Sequence, residues 1–251
     1  MTRLIGAAAC SIAMLAPAAN AETEPFALVE LFTSEGCHSC PPADEVASEL
    51  IERTEQDGRR VFVLAWHVDY WDYLGWEDRF SDAAYSDWQR SYARAFRTPQ
   101  IYTPQMVVNG TNAFVGSRRA QAVEAVESGL AQQASADLSY SINGAVEPGE
   151  TLRVGFDLKI NGTIEGPSLV HVVITESDIQ TDVTRGENAG KTLHHDGVVR
   201  AHATGEPGTL TGDIEIAIPS DVEIDNASVV VFVQDRKTMR VLAAEGGALA
   251  E

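Results

Sequence analysis

The sequence contains little cysteine and little positive charge. Among its 251 residues are three cysteines, and 18 lysine and arginine residues stand against 37 acidic ones, for a formal net charge of −19. A surface this acidic repels nucleic acid phosphates and anionic lipid head groups, so we expect no nucleic acid or membrane partner. Internal repeats and low-complexity tracts are also absent.

Long apolar runs are scarce as well, and the one at the start of the chain is short. Arg3 precedes an apolar run over residues 4–16, and the small residues Ala19 and Ala21 follow it. This layout is typical of a secretory signal peptide, which we predict over residues 1–21. The run is shorter than the roughly 20 residues that cross a bilayer. We therefore expect a periplasmic or secreted protein without membrane insertion after cleavage.

The sequence texture changes near residues 132–136, which predicts two domains. Over residues 22–134, compact apolar runs alternate with segments of helical spacing in the order strand, helix, strand, helix, strand, strand, helix. The first two strands, joined through a helix, should be parallel, and the last two should form a hairpin around an Asn-Gly turn. This order predicts an α/β domain.

After residue 135 the helical spacing stops. Seven short segments alternate apolar and polar residues and are separated by Gly, Pro, Asn and Asp turns. Seven strands in about 110 residues are typical of a small β-sandwich. We therefore predict an all-β, Ig-like sandwich domain over residues 135–251.

A Cys-x-x-Cys pair follows the first predicted strand. Once Cys10 leaves with the signal peptide, Cys37 and Cys40 are the remaining cysteines, and Pro41 and Pro42 place them at the start of a helix. The free N–H groups there favour a thiolate. His38, if protonated, would favour it further. We predict Cys37, on the exposed side, as the nucleophile and the more buried Cys40 as the resolving cysteine.

Parallel strands bring further residues to the edge of the sheet that carries the cysteines. A peptide groove there would use the loop after the second strand, and His67 or Asp69 would handle the proton of Cys40. The alternative is that the aromatic side chains of this loop simply pack into the core. A cis bond before Pro104 would expose the backbone of Thr103 to an incoming peptide. The residues predicted to bind substrate are Thr103, His67, Asp69, Tyr70 and Trp71.

Glu30 in the first strand is a candidate proton relay for Cys40. Burial in an apolar strand would raise the pKa of its carboxyl group into the range of general acid–base work. The alternative is a strand-edge glutamate that points to water. Both interpretations stay open from the sequence.

Three long motifs resemble those of a family of secreted bacterial proteins of unknown function. They are VELFTSEGCHSCPPAD, HVDYWDYLGWEDRFS and YTPQMVVNG, and residues 185–200 are also similar to a recurring stretch of that family. The resemblance implies a thioredoxin-like domain followed by a β-rich domain. It assigns Cys37 as the attacking cysteine, Cys40 as the resolving one, Pro104 as the cis-proline and, approximately, Glu30 as the buried acid.

Three functions are compatible with this sequence. The first is a thiol–disulfide oxidoreductase that needs no cofactor and no metal and acts on exported proteins, together with a redox partner. The second is a metal carrier, copper above all, that uses Cys37, Cys40 and His38 or His67. The third is a binding or scaffold protein with a structural disulfide. His194 and His195, with Asp196 nearby, are a further candidate metal site. A polar turn between strands is the favoured interpretation, because two adjacent histidines on a strand point to opposite faces.

Overall fold

The computed structural model describes residues 24–160, 166–208 and 210–250. The predicted signal peptide lies outside the described residues. The described chain forms three α-helices, α1 (Pro41–Asp57), α2 (Ala83–Phe96) and α3 (Arg119–Leu130). Two 3-10 helices lie at Asp69–Leu74 and Ile224–Asn226. No helix in this part of the chain has the length and apolar character needed to cross a membrane.

Thirteen strands account for most of the regular structure of the described residues. They are β1 (Ala27–Thr33), β2 (Val61–His67), β3 (Gln105–Val108), β4 (Asn112–Val115), β5 (Ala136–Asn143), β6 (Thr151–Ile160), β7 (Ser168–Glu176), β8 (Ile179–Asp182), β9 (Thr192–His195), β10 (Val198–Gly205), β11 (Thr211–Ala217), β12 (Ala227–Asp235) and β13 (Val241–Ala248). The strands β8 and β9 were missed by the sequence patterns.

The element order predicted for the first half is confirmed. β1 and β2 are parallel, and β3 runs antiparallel to β1. The β3–β4 hairpin turns at Asn109 and Gly110, whose φ angles of 48° and 66° are those of the predicted Asn-Gly turn. Pro41 and Pro42 open α1, where their missing N–H groups leave no helical hydrogen bond unmade.

The predicted fold class is wrong. An eight-stranded mixed sheet of order β13-β12-β7-β10-β2-β1-β3-β4 runs through both halves of the chain, so there is no α/β thioredoxin-like domain beside a separate Ig-like sandwich. The other strands form a three-stranded sheet, β11-β6-β5, and the β8-β9 hairpin. The eight-stranded sheet has strands from both sides of the predicted domain boundary. The position of that boundary stays a prediction.

The two halves meet where β10 lies parallel to β2. Val198 pairs with Ala65, and the Ala65 N–H donates to Gly197 O at 2.8 Å. A Cβ at Gly197 would stand 2.8 Å from Val63 O, and the φ of Gly197 is +65°. Glycine is therefore required for this close approach of the two backbones.

The strands β7 and β12 explain why the sheet is continuous. In β12, Val229 and Val231 pack into a core under the three-stranded sheet, whereas Val230 and Phe232 pack with Trp66 on the opposite face. A strand of a two-layer sandwich shows one face to water, but β12 is buried on both. Its near-continuous apolar run belongs to the centre of a large sheet.

Candidate functional site

The cysteines form a disulfide at the start of α1. Cys37 and Cys40 are bonded, with their Cα atoms 5.4 Å apart, and Cys40 is the residue before the first turn of the helix. The placement predicted from the two prolines is confirmed. The expected exposure of Cys37 is wrong, because its accessible fraction is 1%, against 0% for Cys40.

The loop before β3 contacts the sulfur of Cys37. The Thr103-Pro104 bond is cis, as predicted, and the Thr103 hydroxyl donates to Cys37 Sγ at 3.3 Å. The indole Nε1 of Trp71 in turn donates to Thr103 Oγ1 at 2.7 Å. Trp71 and Thr103, two of the predicted substrate-binding residues, are thus brought to the cysteine pair.

A turn from the second half of the chain holds the cysteine loop. The side-chain amide of Asn188, which is fully buried, donates to Glu35 O at 2.8 Å and to Cys37 O at 3.0 Å. The exposed His38 donates its backbone N–H to Glu187 Oε2 at 3.1 Å. Residues 185–200 are similar to a recurring stretch of the family named in the sequence analysis, and this similarity was the one sequence signal for the contact. No sequence pattern indicated where the segment packs.

A buried aspartate joins the cysteine loop to β2. Asp78 Oδ2 accepts from the Glu35 N–H at 2.8 Å and from His67 Nδ1 at 2.7 Å. Burial alone would lower the pKa of His67, but the Asp78 carboxylate beside it, together with the charges of Asp44 and Glu35, raises that pKa above its usual value. Burial acts to raise the pKa of Asp78, yet the His67 charge and hydrogen bond hold it below its usual range.

Three buried polar atoms converge beside this pair. His195 Nε2 lies 3.4 Å from Glu35 Oε1, and the rings of His67 and His195 are 5.1 Å apart. Within the described part of the chain, neither these two atoms nor His67 Nε2 has a hydrogen-bond partner. No three His, Cys, Asp or Glu side chains of the described residues are placed to hold a metal ion together.

The buried acid nearest to Cys40 along the helix is Asp44, which the sequence analysis missed. It lies one turn after Cys40 in α1, and its Oδ1 accepts from the Thr33 hydroxyl at 2.7 Å. Burial raises the pKa of Asp44 to about 6, while the charges of His195 and His67 act against the rise. The sequence signal for Asp44 was its position four residues after Cys40, which is one helical turn away in the first turns of α1.

Glu30 is buried, but the structure does not bring it to the cysteines. Its side chain lies with Leu28 and Phe32 on the face of the sheet opposite α1, where Trp88 Nε1 donates to its Oε2 at 3.2 Å. Burial raises the pKa of Glu30 to about 8. Burial therefore raises the pKa of Glu30 as expected, but Glu30 lies on the face of the sheet away from Cys40.

The remaining predicted groove residues anchor the 3-10 helix Asp69–Leu74 to α2. Asp69 accepts a hydrogen bond from the Ser86 hydroxyl, and the Tyr70 hydroxyl donates to Gln89 Oε1 at 3.0 Å. These contacts fit the packing interpretation of the two side chains. The polar turn predicted at His194 and His195 is wrong, because both residues lie in β9, where they are exposed and buried respectively.

The comparisons with known proteins give a family and a fold. A family model described as "Protein of unknown function (DUF1223)" matches residues 28–234. No curated protein matches the chain significantly. A crystal structure of an Agrobacterium tumefaciens protein is similar at 24% identity and a TM-score of 0.67, over 92% of this chain and 97% of that one. HBP35 of Porphyromonas gingivalis is similar at 16% identity and a TM-score of 0.66, over 91% and 76%.

Proposed function

The chain belongs to the DUF1223 family of proteins of unknown function, and we propose that it is a thiol–disulfide oxidoreductase that acts through Cys37 and Cys40. One observation carries the proposal. The Cys37–Cys40 disulfide lies at the N-terminus of α1, where the positive end of the helix dipole favours a thiolate, and the Thr103 hydroxyl points a donor at Cys37 Sγ.

The proposed reaction is a balanced exchange. In the reduced protein the Cys37 thiolate attacks one sulfur of a substrate disulfide, and the second substrate sulfur leaves as a thiolate and takes up a proton. Cys40 then loses its proton and attacks Cys37 Sγ, which releases the first substrate sulfur as a thiol. The substrate gains two electrons and two protons, and the Cys37–Cys40 disulfide is the oxidised product. The same steps in reverse oxidise a substrate dithiol.

Asp44 fits the role of proton acceptor for Cys40 better than Glu30 does. It lies on the same helix as Cys40 and on the same side of the sheet, and a buried carboxyl group with a pKa of about 6 exchanges protons near neutral pH. His67, paired with Asp78, lies within the same buried group of side chains. Because Asp44 and His67 lie in one buried group of side chains, they support a proton path that starts at Cys40.

The proposed setting is the periplasm or the extracellular space, with exported proteins and a redox partner as the reacting molecules. The signal-peptide pattern of residues 1–21 supports export, and an oxidising compartment is where such disulfides form. The net charge of −19 argues against nucleic acid as a partner.

A second function, a binding protein with a structural disulfide, is favoured by one observation. Both cysteines are buried, at 1% and 0% exposure. A disulfide that stays buried is shielded from exchange, so the redox proposal requires that the contacts of Cys37 with Thr103 and Asn188 open during the reaction.

A pair of single-cysteine variants separates the two functions. The Cys40→Ser protein should form a mixed disulfide with glutathione disulfide at Cys37, which mass spectrometry detects, and the Cys37→Ser protein should react at a far lower rate. Equal and slow reaction of both variants, in the folded state, would leave the structural function as the explanation.

A further inference from the structure

A cavity lies between α2 and the turn that follows β12, on the face of the sheet opposite α1. Its volume is about 320 Å³, which is at the small end of the range of about 300–1,000 Å³ for ligand sites. α2 forms one wall, β7 and β12 form the floor, and the turn at residues 236–239 forms the other wall. Both halves of the chain therefore contribute to it.

The inner lining of the cavity is apolar and uncharged. Trp88, Leu169 and Met239 provide a flat aromatic surface and two aliphatic side chains. His171, which is 1% exposed, adds a ring in contact with His202. Burial and the neighbouring His202 hold the pKa of His171 well below its usual value, so it is neutral at pH 7.

The outer lining carries three cations, Arg94, Arg236 and Lys237. Such a group is unusual in a chain whose acidic residues outnumber its basic ones by 37 to 18. The guanidinium of Arg94 donates to the neutral Ser91 hydroxyl at 2.9 Å, and no carboxylate among the described residues forms an ion pair with it. The carboxylate of Asp235 accepts from the N–H groups of Lys237 and Thr238, and it lies close enough to Lys237 that the two charges attract each other.

Arg236 contributes less to the positive charge than the other two. Its nearest carboxylate, Glu206 Oε1, lies 3.5 Å away, and both side chains are at least half exposed. Solvent screens this pair, but the Glu206 carboxylate still offsets part of the Arg236 charge. Arg94 on α2 and Lys237 on the turn stand on the two walls of the cavity.

We propose that this cavity binds a small molecule that combines a flat apolar body with one negative charge, the chemistry of an aromatic carboxylate. The ring packs on Trp88, Leu169 and Met239, and the carboxylate lies between Arg94 and Lys237. Charge complementarity selects the anion, and the apolar floor selects the ring. The site is separate from Cys37 and Cys40 and does not depend on their reactivity.

Calorimetric titration with 1-naphthoate tests the ring and the charge separately. We expect saturable binding at one site, at least tenfold weaker binding of the uncharged 1-naphthalenemethanol, and no detectable binding of acetate. Equal affinities for the acid and the alcohol would overturn the proposal. So would the absence of saturable naphthoate binding up to roughly 5 mM, where ΔG of binding is only about −3 kcal/mol.

Charge variants test the position of the site. Arg94→Gln and Lys237→Gln should each weaken naphthoate binding by at least threefold. The control Arg90→Gln removes a charge from the same helix at a residue that pairs with Asp87 outside the cavity, and it should leave the affinity unchanged. The Cys37→Ser variant should also bind normally. If Arg90→Gln weakens binding as much as Arg94→Gln does, binding follows the overall charge of the protein and the site is refuted.

Discussion

At the scale of single residues, the buried groups around the disulfide determine how the site responds to protons. Asp44 and His67 lie on the α1 side of the sheet, and Glu30 lies on the other. Each has a raised pKa, but the consequences for stability differ in sign. A raised carboxyl pKa means that ionisation costs the folded state, whereas a raised histidine pKa means that protonation stabilises it.

The Asp44→Asn variant should remove one component of the pH dependence of folding. The pKa of Asp44 rises from 3.8 to about 6 on folding, so its ionisation destabilises the folded protein increasingly between pH 4 and pH 6. Relative to the natural protein, the variant should therefore gain up to about 3 kcal/mol in free energy of unfolding as the pH rises through this window. Urea denaturation at several pH values measures the difference.

The control for this prediction is the exposed Asp87, whose carboxylate pairs with Arg90 on the surface. Asp87→Asn, measured over the same pH range, corrects for effects that any surface Asp→Asn change has on stability. A constant difference in stability between the Asp44 variant and the natural protein over the same range would contradict the assignment of a raised pKa to Asp44.

The Thr103→Val variant should lower the reactivity of Cys37. The valine keeps the shape of the side chain but removes the hydroxyl that donates to Cys37 Sγ at 3.3 Å. Loss of one donor to a thiolate should decrease the thiolate fraction of the reduced protein at pH 7 roughly threefold to tenfold. An ultraviolet titration of the reduced protein measures it. Thr98→Val, at an exposed threonine that also precedes a proline, is the matched control and should behave as the natural protein does.

At the scale of elements, the turn between β8 and β9 makes the site a product of both halves of the chain. Asn188 in this turn satisfies two buried carbonyl groups of the cysteine loop, and His195 in β9 reaches Glu35. Loops positioned on a rigid sheet commonly carry function. We infer that this turn restricts access to the disulfide.

The Asn188→Ala variant tests the role of this turn. Loss of both donors leaves the carbonyl groups of Glu35 and Cys37 unsatisfied, which should cost about 2–4 kcal/mol of folding free energy. The loosened cysteine loop should also be reduced several-fold faster by dithiothreitol, as thiol alkylation and mass spectrometry would record. Asn143→Ala, at an exposed asparagine of β5, should change neither quantity. Unaltered reduction kinetics in Asn188→Ala would show that the turn does not control access.

At the scale of the whole molecule, a single sheet joins the two halves. The core beside α2 contains Phe32 and Trp66 from the first half together with Val173, Val230 and Phe232 from the second. The two halves share this core and should therefore unfold together.

The Phe232→Ala variant tests this cooperativity. Phe232 is fully buried, and its ring stacks on His171 at 4.4 Å, so its truncation should cost about 3–5 kcal/mol. All four tryptophans lie between residues 66 and 88, and their fluorescence reports on the first half. Fluorescence and far-ultraviolet circular dichroism should shift by the same amount in urea. Leu210→Ala, at a side chain 46% exposed, is the control. A shift confined to one probe would show two independent units.

Local features of the site could be predicted from the sequence, because they depend on neighbouring residues. Pro41 and Pro42 fixed the cysteines at a helix start. The parallel β1–β2 pair brought His67 to the same edge, and the antiparallel β1–β3 pair brought the Thr103-Pro104 loop there.

Long-range pairing could not be predicted in the same way. The contact of β10 with β2 joins residues 65 and 198 through a single bridge, and no local pattern encodes such a partner. Burial of Cys37 was missed for a related reason, since Asn188 comes from a segment 151 residues away. The near-continuous apolar runs of β7 and β12 were a visible sign of a central strand, but they were interpreted as alternating sandwich strands.

The equilibrium between the Cys37–Cys40 disulfide and a dithiol buffer tests the central proposal most directly. After equilibration in buffers of graded potential, alkylation and mass spectrometry give the midpoint potential of the pair. Structural disulfides have midpoints below about −300 mV, and exchanging ones lie above it. We predict a midpoint above this value with full reversibility in the folded protein. A disulfide that is reduced only below about −300 mV, or only together with unfolding, would contradict the proposed function.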